Sequence, residues 1–207
     1  YKNIGIVQED DAEYIAANGA EPGDVKFANL DGSEDGKITA DDRTILGYKK
    51  ENFRMSFGNT FRYKDFELYM LFTGIFGGNG YGQAVNYYAF RTSSDVQGDN
   101  NFNHGWWTPE NKSNKYPRIN YTDGRYTPLQ GYGFVRLQDL SLSYTFRQPW
   151  VQKAGIGNLK VYMACKNLFT ISGWEGGDPE VQQTLGSGYT YGYPLSRTVS
   201  FGLNLTF

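Results

Sequence analysis

The sequence predicts an all-β chain: about five antiparallel strands belonging to a large transmembrane β-barrel, with long loops gathered on one side. Three observations carry that prediction. Apolar and polar residues alternate with period two in five separate runs. Aromatic residues make up 17% of 207 residues and Gly supplies 26, yet only 39% of the chain is hydrophobic and the mean hydropathy is -0.58. Large rings in an otherwise polar chain suit strands whose two faces meet different media. Finally, the connections between the runs alternate between long and short.

Residues 1–52 are polar and acidic, with turn signals at "EPGD" and "DGSEDG". They read as a loop with a short helix near "DDRTILG". Two alternating runs follow, 53–63 and 66–76, joined at Lys64 and Asp65 as a very tight hairpin. From about 77 to 133 the alternation disappears into Gly, Asn, Tyr and Trp, with a helical turn suggested at "QAVNYYAF" and breakers at Pro109, Pro117 and Pro128. An irregular stretch of that length points to function. Alternation returns at "FVRLQDLSLSYTF", 134–146, where Leu140, Leu142, Tyr144 and Phe146 share one face and Ser141, Ser143 and Thr145 the other. A turn over 147–158 leads to a strand at 159–171, then to a loop near 172–195 rich in Gly and Tyr. The chain closes on "SRTVSFGLNLTF", with Val199, Phe201, Leu203, Leu205 and Phe207 on one side and Ser200, Gly202, Asn204 and Thr206 on the other.

Alternation alone fits a soluble β-sandwich equally well. Loop lengths separate the two. The short connections, 64–65 and 147–158, fall at one end of the strands, and the long ones, 1–52, 77–133 and 172–195, at the other. Outer-membrane barrels have that asymmetry, with short periplasmic turns and long extracellular loops. The C-terminus then lies on the periplasmic side. Since the smallest barrels have about 8 strands, and open edges would leave backbone groups unpaired in lipid at several kcal/mol each, further strands are expected from residues or chains beyond this sequence.

Other classes fall away. A net charge of -2 with scattered Lys and Arg gives no footprint for nucleic acid. Cys165 has no partner for an internal disulfide, and with His104 as the one histidine the usual zinc ligand set is not met. No apolar run approaches the roughly 20 residues of a membrane helix. No Ser or Cys is spaced to pair with His104, Glu9, Asp10 and Asp11 read as a solvated charge run, and nothing indicates two carboxylates across a cleft. The chain reads as no enzyme.

One motif carries coordination chemistry. In "DGSEDGKITADD", Asp31, Ser33 and Asp35 take positions 1, 3 and 5 of an EF-hand-like loop. Gly36 supplies the turn at 6, Lys37 a carbonyl at 7, Ile38 the apolar anchor, Thr39 position 9 and Asp42 position 12. Alternate hard oxygens in a tight loop suit calcium, with a modest affinity on the order of 10⁻⁴ to 10⁻³ M and a structural task. A plain acidic turn is the alternative.

Five stretches, "PGDVKFANLDGSEDGKITADDRTILG", "WWTPENKSNKYPR", "FVRLQDLSLSYTF", "VYMACKNLFTISGW" and "YPLSRTVSFGLNLTF", in this order and spacing, resemble the C-terminal region of the SusC/RagA family of TonB-dependent transporters of Bacteroidetes. The resemblance implies the C-terminal strands of an outer-membrane barrel of about 22 strands. It also implies an N-terminal plug and earlier strands absent from this sequence, energising by TonB, and a SusD-like lipoprotein as an extracellular lid. The cargo would be glycans or oligopeptides. Phe207 resembles the C-terminal aromatic read during barrel assembly. The loop aromatics Tyr87, Tyr88, Phe90, Trp106, Trp107, Tyr189, Tyr191 and Tyr193 become candidates for substrate or lid contact, because ring faces stack on sugars and ring polar groups bond their oxygens. Packing among themselves or at the membrane interface is the competing role. Two other classes stay open: a soluble extracellular β-domain with a dockerin-like calcium loop, acting as a binding or scaffolding module, and a sugar-binding accessory domain of a secreted glycoside hydrolase.

Overall fold

The computed structural model describes residues 1–81, 105–119, 121–126, 129–174, 177–181 and 193–207. They form two compact units, Tyr1–Tyr48 with Asn79–Gln130, and Lys49–Gly78 with Gly131–Phe207.

The first unit is built around a two-stranded sheet of β1 (Asn3–Ile6) and β2 (Val25–Phe27), with α1 (Ala12–Asn18) between them. Gly19 ends α1 in the left-handed conformation, φ 62°, and its N–H returns to the Ile15 carbonyl. Ile6, Val25, Phe27 and Trp107 form the core, with Tyr1, Ile38, Tyr121 and Tyr126 packed against it. Residues about a hundred positions apart are stitched together here. Asn114 Oδ1 accepts the Ile6 N–H at 2.9 Å, and the Arg118 N–H donates to the Gly23 carbonyl at 2.8 Å. The Arg118 guanidinium bonds Asp24 at 2.8 Å, and Lys112 meets Glu9 at 2.7 Å.

These elements correct the expectation of a plain loop over 1–52. A three-residue strand such as "VKF" is too short for period two to register, and its core partner Trp107 lies far along the chain. The helix expected near "DDRTILG" is a single 3₁₀ turn, Ala40–Asp42. The acidic run is also not merely solvated: Asp11 accepts the Gln8 N–H at 2.8 Å and pairs with Lys26. Short strands β5 (Asn79–Tyr81) and β6 (Leu129–Gly131) pair with each other.

The second unit is a five-stranded antiparallel sheet in the order β3 (Phe53–Tyr63), β4 (Phe66–Phe76), β7 (Phe134–Phe146), β8 (Asn158–Ser172) and β9 (Thr198–Thr206). Each expected run is a strand. The turn at Lys64 and Asp65 is as tight as expected, with Tyr63 opposite Phe66 and Lys64 at φ 52°. The other short connection holds a helix that the sequence reading took for a turn, α2 (Pro149–Lys153), with Pro at its first position and Val151 buried.

Register keeps the two faces in phase from strand to strand. Leu68 lies opposite Phe61 and Leu142, Leu142 opposite Met163, Met163 opposite Phe201, and Val161 opposite Leu203. On the other face, Thr60 meets Tyr69, Tyr69 meets Ser141, Ser141 meets Ala164, and Ala164 meets Ser200. The phase changes once, at a bulge in β7 beside Gln138, between Leu71 and Phe72 of β4 and between Leu137 and Asp139 of β7. Without the bulge Arg136 would share the face of Leu140 and Leu142. With it, Val135 and Leu137 join the apolar face, and Arg136 turns to the polar one opposite Thr73 and Thr170.

Candidate functional site

The apolar face is the largest chemical feature of the sheet. Phe57, Phe61, Leu142, Val161, Val199, Phe201 and Leu203 are all exposed, Phe201 to 78%. Each would gain about 1.5–3 kcal/mol if taken out of water, so a face of this extent marks a contact with something apolar. β3 and β4 have 11 residues each and β9 has 9, the length of a strand that crosses a bilayer at a tilt. The opposite face carries an ion network, with Glu67 between Arg62 at 2.6 Å and Lys160 at 3.5 Å. A sheet with such faces separates lipid from a polar interior. Among the described residues no helix is long and apolar enough to cross a membrane.

The strand ends agree with this. Tyr63 with Phe66, Phe146 with Leu159, and Asn158 with Thr206 lie at the end of the short connections. Ile75 with Phe134 and Phe134 with Ser172 lie at the end of the long ones. Phe207 follows β9 at the short end and is 88% exposed.

The acidic loop is held by its own hydrogen bonds. Asp42 is fully buried: Oδ1 accepts from the N–H of Leu30 at 2.5 Å and of Asp31 at 3.1 Å, and Oδ2 accepts from Thr39 at 2.7 Å. The backbone N–H groups of Thr39 and Leu30 hold its carboxyl below the usual range. Asp31 accepts the Ser33 N–H at 2.7 Å and Asp35 the Lys37 N–H at 3.1 Å, two Asx turns in succession. The Lys37 N–H is the main reason the Asp35 carboxyl also lies low. Asn18 braces the loop from α1, donating to the Gly36 carbonyl at 3.0 Å and accepting from the Ile38 N–H at 2.8 Å. Gly36, at φ 66°, makes the turn that the spacing requires of it.

Asp31, Ser33, Asp35, Lys37, Thr39 and Asp42 are thus in one loop, but the carboxylates do not converge. Among the described residues no three His, Cys, Asp or Glu side chains are gathered to hold a metal. The position 12 carboxylate, Asp42, is turned onto backbone N–H groups.

The aromatic candidates divide. Trp107 is core: it is 7% exposed, and its indole N–H donates to Gln8 Oε1 at 3.0 Å. Trp106 is 37% exposed and Tyr193 94%. Tyr87, Tyr88, Phe90, His104, Tyr189 and Tyr191 lie outside the described residues. Sequence reading passed over Arg136, which is buried on the polar face. Its signal, a bulge, exists only once strands are paired.

No family model matches the chain. It is 31% identical to TonB-dependent receptor P3 of Formosa agariphila over 91% of its length and 19% of that protein's. To TonB-dependent receptor P26 of the same organism it is 28% identical over 89% and 20%. The chain therefore spans about a fifth of the length of the curated relatives it matches. Among solved structures, the RagAB peptide importer in its open-open state superposes with a TM-score of 0.62 at 22% identity, covering 100% of this chain and 22% of that one. A second RagAB peptide transporter structure gives 0.60 at 24%, covering 85% and 20%. At these identities the structural likeness speaks for the fold.

Proposed function

We propose that this chain, a segment of a SusC/RagA-like TonB-dependent transporter, forms part of the wall of an outer-membrane import channel. The observation that carries this is the matching of one apolar and one polar face from strand to strand across five strands, kept through the bulge in β7. In this reading the long connections stand outside the cell and Phe207 lies on the periplasmic side. A plug, a TonB contact and the remaining strands come from outside this segment. The cargo is an oligopeptide or a glycan. The peptide named for the RagAB importer supports the first, and the exposed rings of Trp106 and Tyr193 suit either. A SusD-like lipoprotein covers the channel from outside. The chain's own residues bind and guide cargo and carry out no reaction on it.

Fractionation of the native protein tests this. The polypeptide carrying these strands is expected in the detergent-extracted outer membrane, with a denatured mass several times 23.4 kDa. A water-soluble polypeptide of about that mass would favour the soluble β-domain instead.

Calcium in the 31–42 loop is proposed on the spacing of its ligand positions alone. Calcium added to the chelated protein is then expected to slow protease cleavage between Asp31 and Asp42, and Asp35→Ala is expected to remove that effect. Equal cleavage with calcium and with chelator would leave a loop closed by hydrogen bonds only.

A further inference from the structure

The bulge in β7 places a guanidinium where the sequence pattern would not. Arg136 is 2% exposed, yet each edge of its fork is used. Nε donates to Thr170 Oγ1 of β8 at 2.9 Å, one terminal nitrogen to Glu180 at 2.5 Å, and the other to Asp178 Oδ1 at 2.6 Å. The Phe134 ring lies 5.0 Å from the guanidinium carbon, ring centroid to carbon. Asp178, itself 8% exposed, goes on to accept the N–H of Glu180 at 3.0 Å and of Leu195 at 3.2 Å. Asn167, in the left-handed conformation at φ 51°, donates from β8 to the Ser196 carbonyl at 3.1 Å. Two strands and both described ends of the β8–β9 connection therefore meet at one ion pair.

From this we infer that Arg136 is a positioning residue: it fixes residues 177–181 and 193–197, the described ends of the β8–β9 connection, onto the polar face of the sheet. The inference rests on the transporter reading and adds a role within it. A buried ion pair is a poor source of net stability compared with apolar packing, while breaking one leaves an unpaired buried charge. Such a group is better understood as specifying geometry, and only an arginine reaches three partners in one plane. Beside the pair, between β8 and residues 195–197, lies an open recess of about 350 Å³, lined by Arg136, Asn167, Thr170, Asp178 and the exposed Arg197 together with the apolar Phe169 and Leu195. Anchoring the connection holds this recess open toward the polar side.

The test uses the full-length transporter, folded in detergent, with hydrogen exchange followed in peptides covering 177–181 and 193–197. Arg136→Gln and Asp178→Asn are each expected to speed exchange at 193–197 at least tenfold. The double variant should be no faster than the faster single one, because both changes remove the same bond. Arg136→Lys should recover only part of the protection. Barrel folding is read separately by heat-dependent gel mobility. Should Arg136→Gln fail to fold, Asp178→Asn decides, since it alters the connection and no strand. Unchanged exchange at 193–197 in a folded Asp178→Asn barrel overturns the proposal. Loss of the barrel in the unsubstituted protein would contradict the transporter reading instead.

Discussion

At the scale of single residues, Asp42 shows how a motif can be legible while its use is not. Spacing identified the positions of the 31–42 loop, and Gly36 makes the turn its place requires. Spacing could not show that the Asp42 carboxylate turns inward to three backbone N–H groups, since that depends on the approach of Leu30 and Thr39 in space. Asp42→Ala is therefore expected to expose the loop to protease with or without calcium, unlike Asp35→Ala, whose effect is confined to the calcium-treated protein. Cleavage mapping of both variants under both conditions checks the difference. The pH dependence follows from the same bonds. A carboxyl held below its unfolded value contributes stability above the ordinary carboxylate range, and loses it as pH falls through the lowered value. Loop protection is expected to stay level from neutral pH to about 4 and to fall below that, as hydrogen exchange at Leu30 and Thr39 would report.

At the scale of elements, the strands were readable because lipid on one side and water on the other enforce strict alternation, and a slip of one residue would reverse both faces. The runs at 53–63, 66–76 and 134–146 match β3, β4 and β7 end to end. What escaped were features set by pairing or by short range: the bulge beside Gln138, the five-residue α2, and β2 with only 3 residues. The two faces of β9 should respond oppositely to charge. Leu203→Arg is expected to cost about 2–4 kcal/mol near the middle of the membrane, whereas Asn204→Arg, on the polar face opposite Lys160, should cost much less. Urea titration of the two barrels refolded into lipid vesicles measures both.

At the scale of the whole molecule, two stretches that read as separate loops, 1–48 and 79–130, belong to one compact unit. Nothing periodic links them, because their contacts are isolated bonds such as Asn114 on Ile6, Trp107 on Gln8 and the Arg118 N–H on the Gly23 carbonyl. Trp107→Ala should remove about 3–5 kcal/mol from this unit and expose residues 1–48 to protease along with 105–126. Cleavage confined to 105–126 would mean that the first stretch folds without the second.

In the proposed barrel wall, one face of the five-stranded sheet meets lipid and the other a polar interior. This is tested most directly by single cysteines at each position from Val199 to Thr206, in the full transporter with Cys165→Ser, each spin-labelled in lipid bilayers and probed with oxygen and with a water-soluble nickel complex. Labels at 199, 201, 203 and 205 should be relaxed mainly by oxygen, and those at 200, 202, 204 and 206 should not. Equal access of both relaxants along the whole strand would mean that neither face of β9 meets lipid.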